Sequence, residues 1–207
     1  MRRTRRTAWC TALSFLLVPF CLVHCLGSAF PAHAQAPKAK SVSPKKQQPA
    51  PAAPEVHTGS EGLPGPVQEM REAILSAVRS GRIEELLHAF QLNELKPDLG
   101  VQPMLDPVAH WKQISGDGEG REVLAAIGEI LEAGYVALPL GRDIENNRIY
   151  VWPYFAEVPL AKLTPAQEVE LLRLVPPAAV KQMISGGRYT HWRLAIGADG
   201  TWHSFRK

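Results

Sequence analysis

Residues 189–206 have the sequence YTHWRLAIGADGTWHSFR, which is a strong β-hairpin signal. Alternating residues on either side of GADG predict two strands, over residues 189–196 and 201–206, that form an antiparallel hairpin. The apolar residues of one parity should face a core, and they are Trp192, Leu194, Ile196 and Trp202. An antiparallel sheet with one apolar face is therefore the expected scaffold.

The other parity of this hairpin carries the polar candidates Tyr189, His191, Arg193 and His203. These four side chains share one face if the numbers of paired residues sum to an even value. Two imidazoles, a guanidinium and a phenol could bind a carboxylate or a phosphate group. They lack a third credible metal ligand, so no metal site is predicted. The plainer alternative is a solvated outer face, which antiparallel sheets commonly have.

Upstream of the hairpin, two further strands are predicted over residues 135–138 and 149–154, joined by a polar turn at residues 146–147. Amphipathic periodicity predicts helices from Val67, Ile83 and Val123 onward. Asp106 and Thr164, each followed by proline, predict the N-terminal caps of two more helices. This order of elements favours an α+β fold, with an antiparallel sheet of about four strands covered on one face by helices.

The strand before the capped helix carries three aromatic residues of one parity, Tyr150, Trp152 and Tyr154. Exposed rings at these positions could stack on sugars or anchor a protein partner. The alternative is that they pack in the core, where aromatic residues are mostly found.

Residues 1–34 have the pattern of a secretory signal peptide. Four arginines precede an apolar run over residues 8–26, and Ala32 and Ala34 form a small-residue cleavage site. Cleavage after Ala34 would place the protein in a bacterial periplasm or outside the cell, with no membrane span remaining. An uncleaved membrane anchor is the alternative. All three cysteines, Cys10, Cys21 and Cys25, lie in this segment, so a cleaved chain would carry no thiol.

Residues 35–66 contain seven prolines and no Phe, Trp or Tyr. Such a Pro/Lys-rich segment buries too little apolar surface to offset its ordering entropy, so a disordered linker is predicted. A single α+β domain should then occupy residues 67–207.

The charge of +3 is unevenly distributed, because residues 67–207 hold 15 Lys and Arg against 18 Asp and Glu, a balance of −3. A nucleic-acid-binding domain needs a clustered basic face, and the predicted domain is mildly acidic. Binding of nucleic acid is therefore not expected.

Three short motifs carry a resemblance to a known family: YVWPYFA at residues 150–156, LTPAQE at residues 163–168 and GADGTW at residues 197–202. With these motifs the chain resembles a family of uncharacterised exported proteins of alphaproteobacteria, over about residues 67–207. The resemblance implies a location in the cell envelope. It implies no activity and no catalytic residue.

The first functional hypothesis is a non-catalytic periplasmic domain on a flexible tether, which binds a protein partner or a component of the envelope. No cofactor is predicted. One alternative is a hydrolase or transferase that acts on cell-wall material with His191 and His203 as acid and base. Another is a small-molecule carrier with a cavity between sheet and helices.

Overall fold

A five-stranded antiparallel sheet, with strands in sequence order, forms the centre of the protein. The computed structural model describes residues 53–141 and 147–207. The predicted signal peptide, residues 35–52 of the predicted linker and part of the predicted turn at 146–147 lie outside this range. The strands are β1 (Val56–His57), β2 (Tyr135–Pro139), β3 (Arg148–Trp152), β4 (Arg193–Gly197) and β5 (Trp202–Arg206).

Six helices accompany the sheet in the described residues, together with short 3₁₀ turns at Ile83–Glu85, Tyr154–Ala156 and Leu160–Lys162. The helices are α1 (Gly65–Ser80), α2 (Leu86–Gln91), α3 (Pro107–Ile114), α4 (Arg121–Glu132), α5 (Pro165–Leu174) and α6 (Pro177–Gly186). The predicted α+β class is confirmed. None of these helices has the length and apolar character that crossing a bilayer requires.

Two predicted helix starts are confirmed by their caps. The Asp106 carboxylate accepts a hydrogen bond from the Ala109 amide at 3.0 Å, and this bond starts α3. Thr164 and Gln167 form a reciprocal capping box at the start of α5. In both helices a proline follows the cap. An N–H group at this position would have no acceptor within the helix, so its absence from proline costs no hydrogen bond.

The first core lies between the sheet and helices α1 to α4. The parity predicted for the hairpin is correct here, because Leu194, Ile196 and Trp202 are fully buried in this core. The Trp202 ring stacks on Trp111 of α3, with ring centroids 6.3 Å apart and planes 12° apart. Packing between sheet and helices is thus centred on large aromatic side chains.

A second core lies on the opposite face of the sheet, which was predicted to be free of helices. Val136, Val151 and Ala195 of β2, β3 and β4 pack there against the segment that holds α5 and α6. Helix α5 directs Leu171 inward, whereas Val169 on the same helix is 62% exposed. The two-sided coverage could not be deduced from the hairpin, because small or β-branched residues such as Ala195 occur on solvated and on covered faces alike.

The domain begins before Val67, which corrects the predicted boundary of the disordered linker. Val56 and His57 of β1 pair with Val136 and Tyr135 of β2, and the His57 ring stacks on Tyr135. Leu63 is 5% exposed in the first core. A two-residue strand and one buried leucine hardly change the average composition of residues 35–66. The composition could therefore not reveal that the domain begins before Val67.

The outer edge of β5 is occupied by residues from the loop after α2. The side-chain amide of Asn93 donates to the Trp202 carbonyl at 2.7 Å and accepts from the Trp202 amide at 3.0 Å. Further along the strand, the Asp98 amide donates to the His203 carbonyl, and the Phe205 amide donates to the Asp98 carbonyl. The side chain of Asn93 and the backbone of Asp98 therefore make hydrogen bonds to β5 of the kind that a sixth strand would make.

Candidate functional site

A β-bulge in the C-terminal hairpin determines which of the predicted site residues meet. Arg193 pairs with Arg206, Leu194 with Phe205 and Ala195 with Ser204. The register then shifts, so that Ile196 pairs with Trp202 and His203 is the extra residue. Next to the turn the paired numbers sum to an even value, whereas between the bulge and the open end of the hairpin they sum to an odd value. The even register that would have placed all four polar candidates on one face is therefore not kept along the hairpin.

Three of the four candidates line a surface groove of about 330 Å³, which we call the basic groove. Its lining residues are Ala156, Arg188, Tyr189, Thr190, His191, Arg193 and Lys207. They come from the 3₁₀ turn after β3, the connection from α6 to β4, the start of β4, and the residue after β5. The groove thus lies at the end of the hairpin away from its turn.

The connection from α6 into the groove is fixed by glycine and by a buried phenol. Gly187 has a φ of +66°, the left-handed conformation that ends a helix at low cost to glycine. Tyr189 is buried, and its hydroxyl donates to the Trp192 carbonyl at 2.9 Å. Burial raises the pKa of this phenol, so it stays protonated. Tyr189 therefore positions the loop. Its hydroxyl group already donates to a backbone carbonyl, so this donor is not available to a ligand.

Two positively charged side chains of the groove, Lys207 and Arg193, contact neighbouring groups. The Lys207 Nζ atom lies 4.6 Å from the ring centroid of Trp192, a cation–π contact, and that ring stacks on Phe205. Arg193 faces Glu157 with a nitrogen-to-oxygen distance of 3.7 Å. This is an ion pair that is too long for a hydrogen bond. The guanidinium N–H groups of Arg193 therefore keep capacity for another acceptor.

Arg188 and His191 complete the groove. Arg188 is exposed, and within residues 53–141 and 147–207 no carboxylate lies within 4.0 Å of it. Burial, and to a lesser extent Lys207, lower the pKa of the His191 imidazole. At neutral pH this ring is therefore uncharged and offers one donor and one acceptor.

His203 lies in a different groove of about 620 Å³. This second groove is at the turn end of the hairpin and also contains Asp199, Glu69 and Glu94. The Asp199 oxygens accept from the Thr201 amide at 2.9 Å and from its hydroxyl at 3.0 Å, and these bonds help to lower the pKa of Asp199. Asp199 thus stabilises the turn at residues 197–200. The structure brings Tyr189, His191 and Arg193 together and separates His203 from them.

The two enzymatic candidates, His191 and His203, therefore do not form one site. Among the described residues, no histidine donates a hydrogen bond to a carboxylate, and no group of three His, Cys, Asp or Glu side chains is placed to hold a metal ion. The space between sheet and helices is filled by side chains such as Trp111 and Trp152, and the grooves named above lie at the surface.

The aromatic candidates Tyr150, Trp152 and Tyr154 are buried, so they are core residues and not a contact surface. Tyr150 and Trp152 pack in the first core. Strand β3 ends at Trp152, before a proline that cannot donate to the ladder, so the alternation stops there. Tyr154 consequently packs in the second core, and its hydroxyl donates to Glu170 at 3.0 Å.

Sequence reasoning missed Arg188 and Lys207 in the basic groove. A signal was present, because in an antiparallel hairpin the residues before the first strand and after the second strand meet at the same end. Arg188 and Lys207 flank the hairpin in this way.

Comparison with protein-family models, with curated proteins and with solved structures found no match for this chain.

Proposed function

We propose that this chain is a non-catalytic periplasmic binding domain. In this proposal its basic groove binds an anionic group carried by a protein partner or by a component of the cell envelope. The domain is attached to a flexible tether formed by residues that precede β1. The groove supplies the affinity, and no bond of the bound group is broken.

The observation that carries this proposal is a local reversal of charge. Residues 67–207 have a net charge of −3, yet Arg188, Arg193 and Lys207 line one groove with His191. Glu157 is the carboxylate paired with this group. Cations gathered on one concave surface of an acidic domain favour an anionic ligand over a neutral one.

Export is supported by the sequence of residues 1–34, which has the three parts of a signal peptide. Expression of the full chain in a bacterial host tests it. N-terminal sequencing of the periplasmic form should begin at Gln35. Recovery of the full chain from the membrane fraction, with Met1 intact, would reject cleavage.

Binding is tested by co-sedimentation of the exported protein with isolated envelopes. The double variant Arg188→Glu/Arg193→Glu should lose most of the bound fraction, because both cations are replaced by carboxylates. The control is Lys181→Glu, an exposed charge reversal on α6 that does not line the groove. Equal sedimentation of both variants would refute the groove as the binding site.

A further inference from the structure

The proposed function leaves open which anion the groove binds, and the present inference rests on that function. We propose that the bound group is a phosphate, a tetrahedral oxyanion, and not a carboxylate. Three features of the groove favour a phosphate: its cations come from different elements, its side chains carry an excess of positive charge, and two of them have unused hydrogen-bonding capacity.

The three cations reach the groove from three different parts of the fold. Arg188 follows α6, Arg193 begins β4, and Lys207 follows β5. A carboxylate presents two oxygens in one plane, which a single arginine already satisfies with two parallel hydrogen bonds. A phosphate presents oxygens in several directions, so it can accept hydrogen bonds from donors that belong to different elements of the groove. The arrangement therefore matches a tetrahedral ligand better than a planar one.

The side-chain charge also fits a doubly charged ligand. Among the described side chains, the three cations Arg188, Arg193 and Lys207 outnumber the carboxylate of Glu157, and His191 is uncharged at neutral pH, so the side chains of the groove carry an excess of positive charge. A phosphate monoester carries between one and two negative charges near pH 7, since its second pKa is about 6. A carboxylate carries one charge and would neutralise less of this positive excess than a phosphate.

Arg193 and His191 have the hydrogen-bonding capacity that such a ligand needs. The side chain of Arg193 is 34% exposed, and its contact with Glu157 at 3.7 Å does not occupy an N–H group. His191 is half-buried beside Lys207 and makes no side-chain hydrogen bond within the described residues. A bound anion beside His191 would favour the charged imidazolium and raise its pKa.

The test is a titration of the mature protein with inorganic phosphate and, separately, with acetate at the same ionic strength and pH. Calorimetry gives the affinities, and NMR follows the His191 ring. Phosphate should bind at least about tenfold more tightly than acetate, as expected for added hydrogen bonds between charged groups. The pKa of His191 should rise in phosphate and change less in acetate.

The variants assign the binding to the groove. Arg193→Gln should weaken phosphate binding by about tenfold or more, because a charge-assisted hydrogen bond is lost. Arg193→Lys keeps the charge but removes the planar fork, so it should recover only part of the affinity. The control Lys181→Gln should bind as the wild type does. If Arg193→Gln does not fold, Arg188→Gln, at an exposed position, provides the same comparison.

Two sources of phosphate are separated by a second set of probes. Vesicles that contain phosphatidic acid are compared with phosphatidylcholine vesicles and with soluble glycerol phosphate. Preference for the acidic vesicles identifies a lipid headgroup, and equal binding of glycerol phosphate identifies a soluble or polymer-borne ester. Both results support the inference.

Two results would overturn it. If acetate binds as tightly as phosphate and the groove variants weaken both, the phosphate inference fails and the proposed anion-binding function stands. If phosphate binds equally to the wild type, Arg193→Gln and Arg188→Gln, the groove is not its site. Loss of envelope binding in the charge-reversal variant would then still support the proposed function independently.

Discussion

Trp202 is the residue whose removal should cost the domain most. It is fully buried, stacks on Trp111, and donates its indole N–H to the Ser204 carbonyl at 3.1 Å. Trp202→Ala should lower the free energy of unfolding by about 3–5 kcal/mol because it leaves a large cavity. Since whole domains are stable by only about 5–15 kcal/mol, urea unfolding should show a large decrease in midpoint.

The matched control for Trp202 is Leu95, an apolar side chain that is 76% exposed. Leu95→Ala should change the free energy of unfolding by no more than about 0.5 kcal/mol. Equal losses in the two variants would contradict the packing described for the first core. Trp192 shares the parity of Trp202 but is only partly buried, so parity predicts which face a residue lies on and not how deeply it is buried.

His191 should make the stability of the domain sensitive to acid. Burial and Lys207 lower its pKa below the unfolded value of 6.5, so below that pH the unfolded chain binds more protons than the native protein. Stability therefore falls as pH decreases through the interval between the unfolded and the native pKa. In His191→Gln the loss of melting temperature between about pH 7.5 and pH 5.5 should be smaller, since this titration is removed.

Lys207, which acts on the His191 ring, and the other charged residues at the groove, Arg188, Arg193 and its partner Glu157, are unchanged in this variant. His88→Gln, at an exposed position on α2, is the control and should keep the acid sensitivity of the wild type. An unchanged pH profile in His191→Gln would show that other groups cause the acid sensitivity.

At the scale of one element, helix α5 depends on its capping box. The Thr164 hydroxyl accepts from the Gln167 amide at 3.3 Å, and the Gln167 side chain accepts from the Thr164 amide at 2.9 Å. Thr164→Ala should reduce the free energy of unfolding by about 0.5–2 kcal/mol, because an amide of the first turn loses its acceptor. Chemical denaturation measures this loss.

Thr164→Ser provides the comparison, because serine keeps the hydroxyl acceptor and is as good a cap as threonine. It should unfold within a few tenths of a kcal/mol of the wild type, by the same ranking of caps. If Thr164→Ala and Thr164→Ser lose the same stability, the methyl group and not the cap would be the stabilising feature.

Elements with a local cause could be predicted from the sequence. The capping box of Thr164, the cap of Asp106 and the turn at 197–200 are each set by residues within four positions of one another. The β-bulge at His203 could not be predicted, since it belongs to the pairing of β4 with β5 and not to a local motif of a few residues. The same bulge decides the candidate site, so three of its four predicted hairpin residues meet and His203 does not.

At the scale of the whole molecule, the domain needs residues that precede Val67. A chain of residues 53–207 keeps β1 and the buried side chain of Leu63, whereas a chain of residues 67–207 lacks both. The shorter chain should melt at a markedly lower temperature, because full burial of a leucine is worth about 1.5–3 kcal/mol and the outer edge of β2 loses its partner. Calorimetry of the two chains measures the difference.

A full-length chain with Leu63→Ala separates the two contributions. It keeps β1 and loses only the buried side chain, so its melting temperature should fall between those of the two chains. If residues 67–207 melt like residues 53–207, the domain would begin at Val67 as the composition of the linker suggests.

The bonds that Asn93 and Asp98 make to β5 have a consequence for aggregation. An open strand edge recruits strands from other molecules, and this is the usual route to edge-to-edge polymerisation. Here the Asn93 amide occupies both backbone groups of Trp202, and Asp98 bonds to His203 and Phe205. At the opposite edge, β1 offers only two residues. Within residues 53–141 and 147–207, the short β1 and the bonds to Asn93 and Asp98 therefore limit the template that each sheet edge offers to a second molecule, which disfavours edge-to-edge pairing.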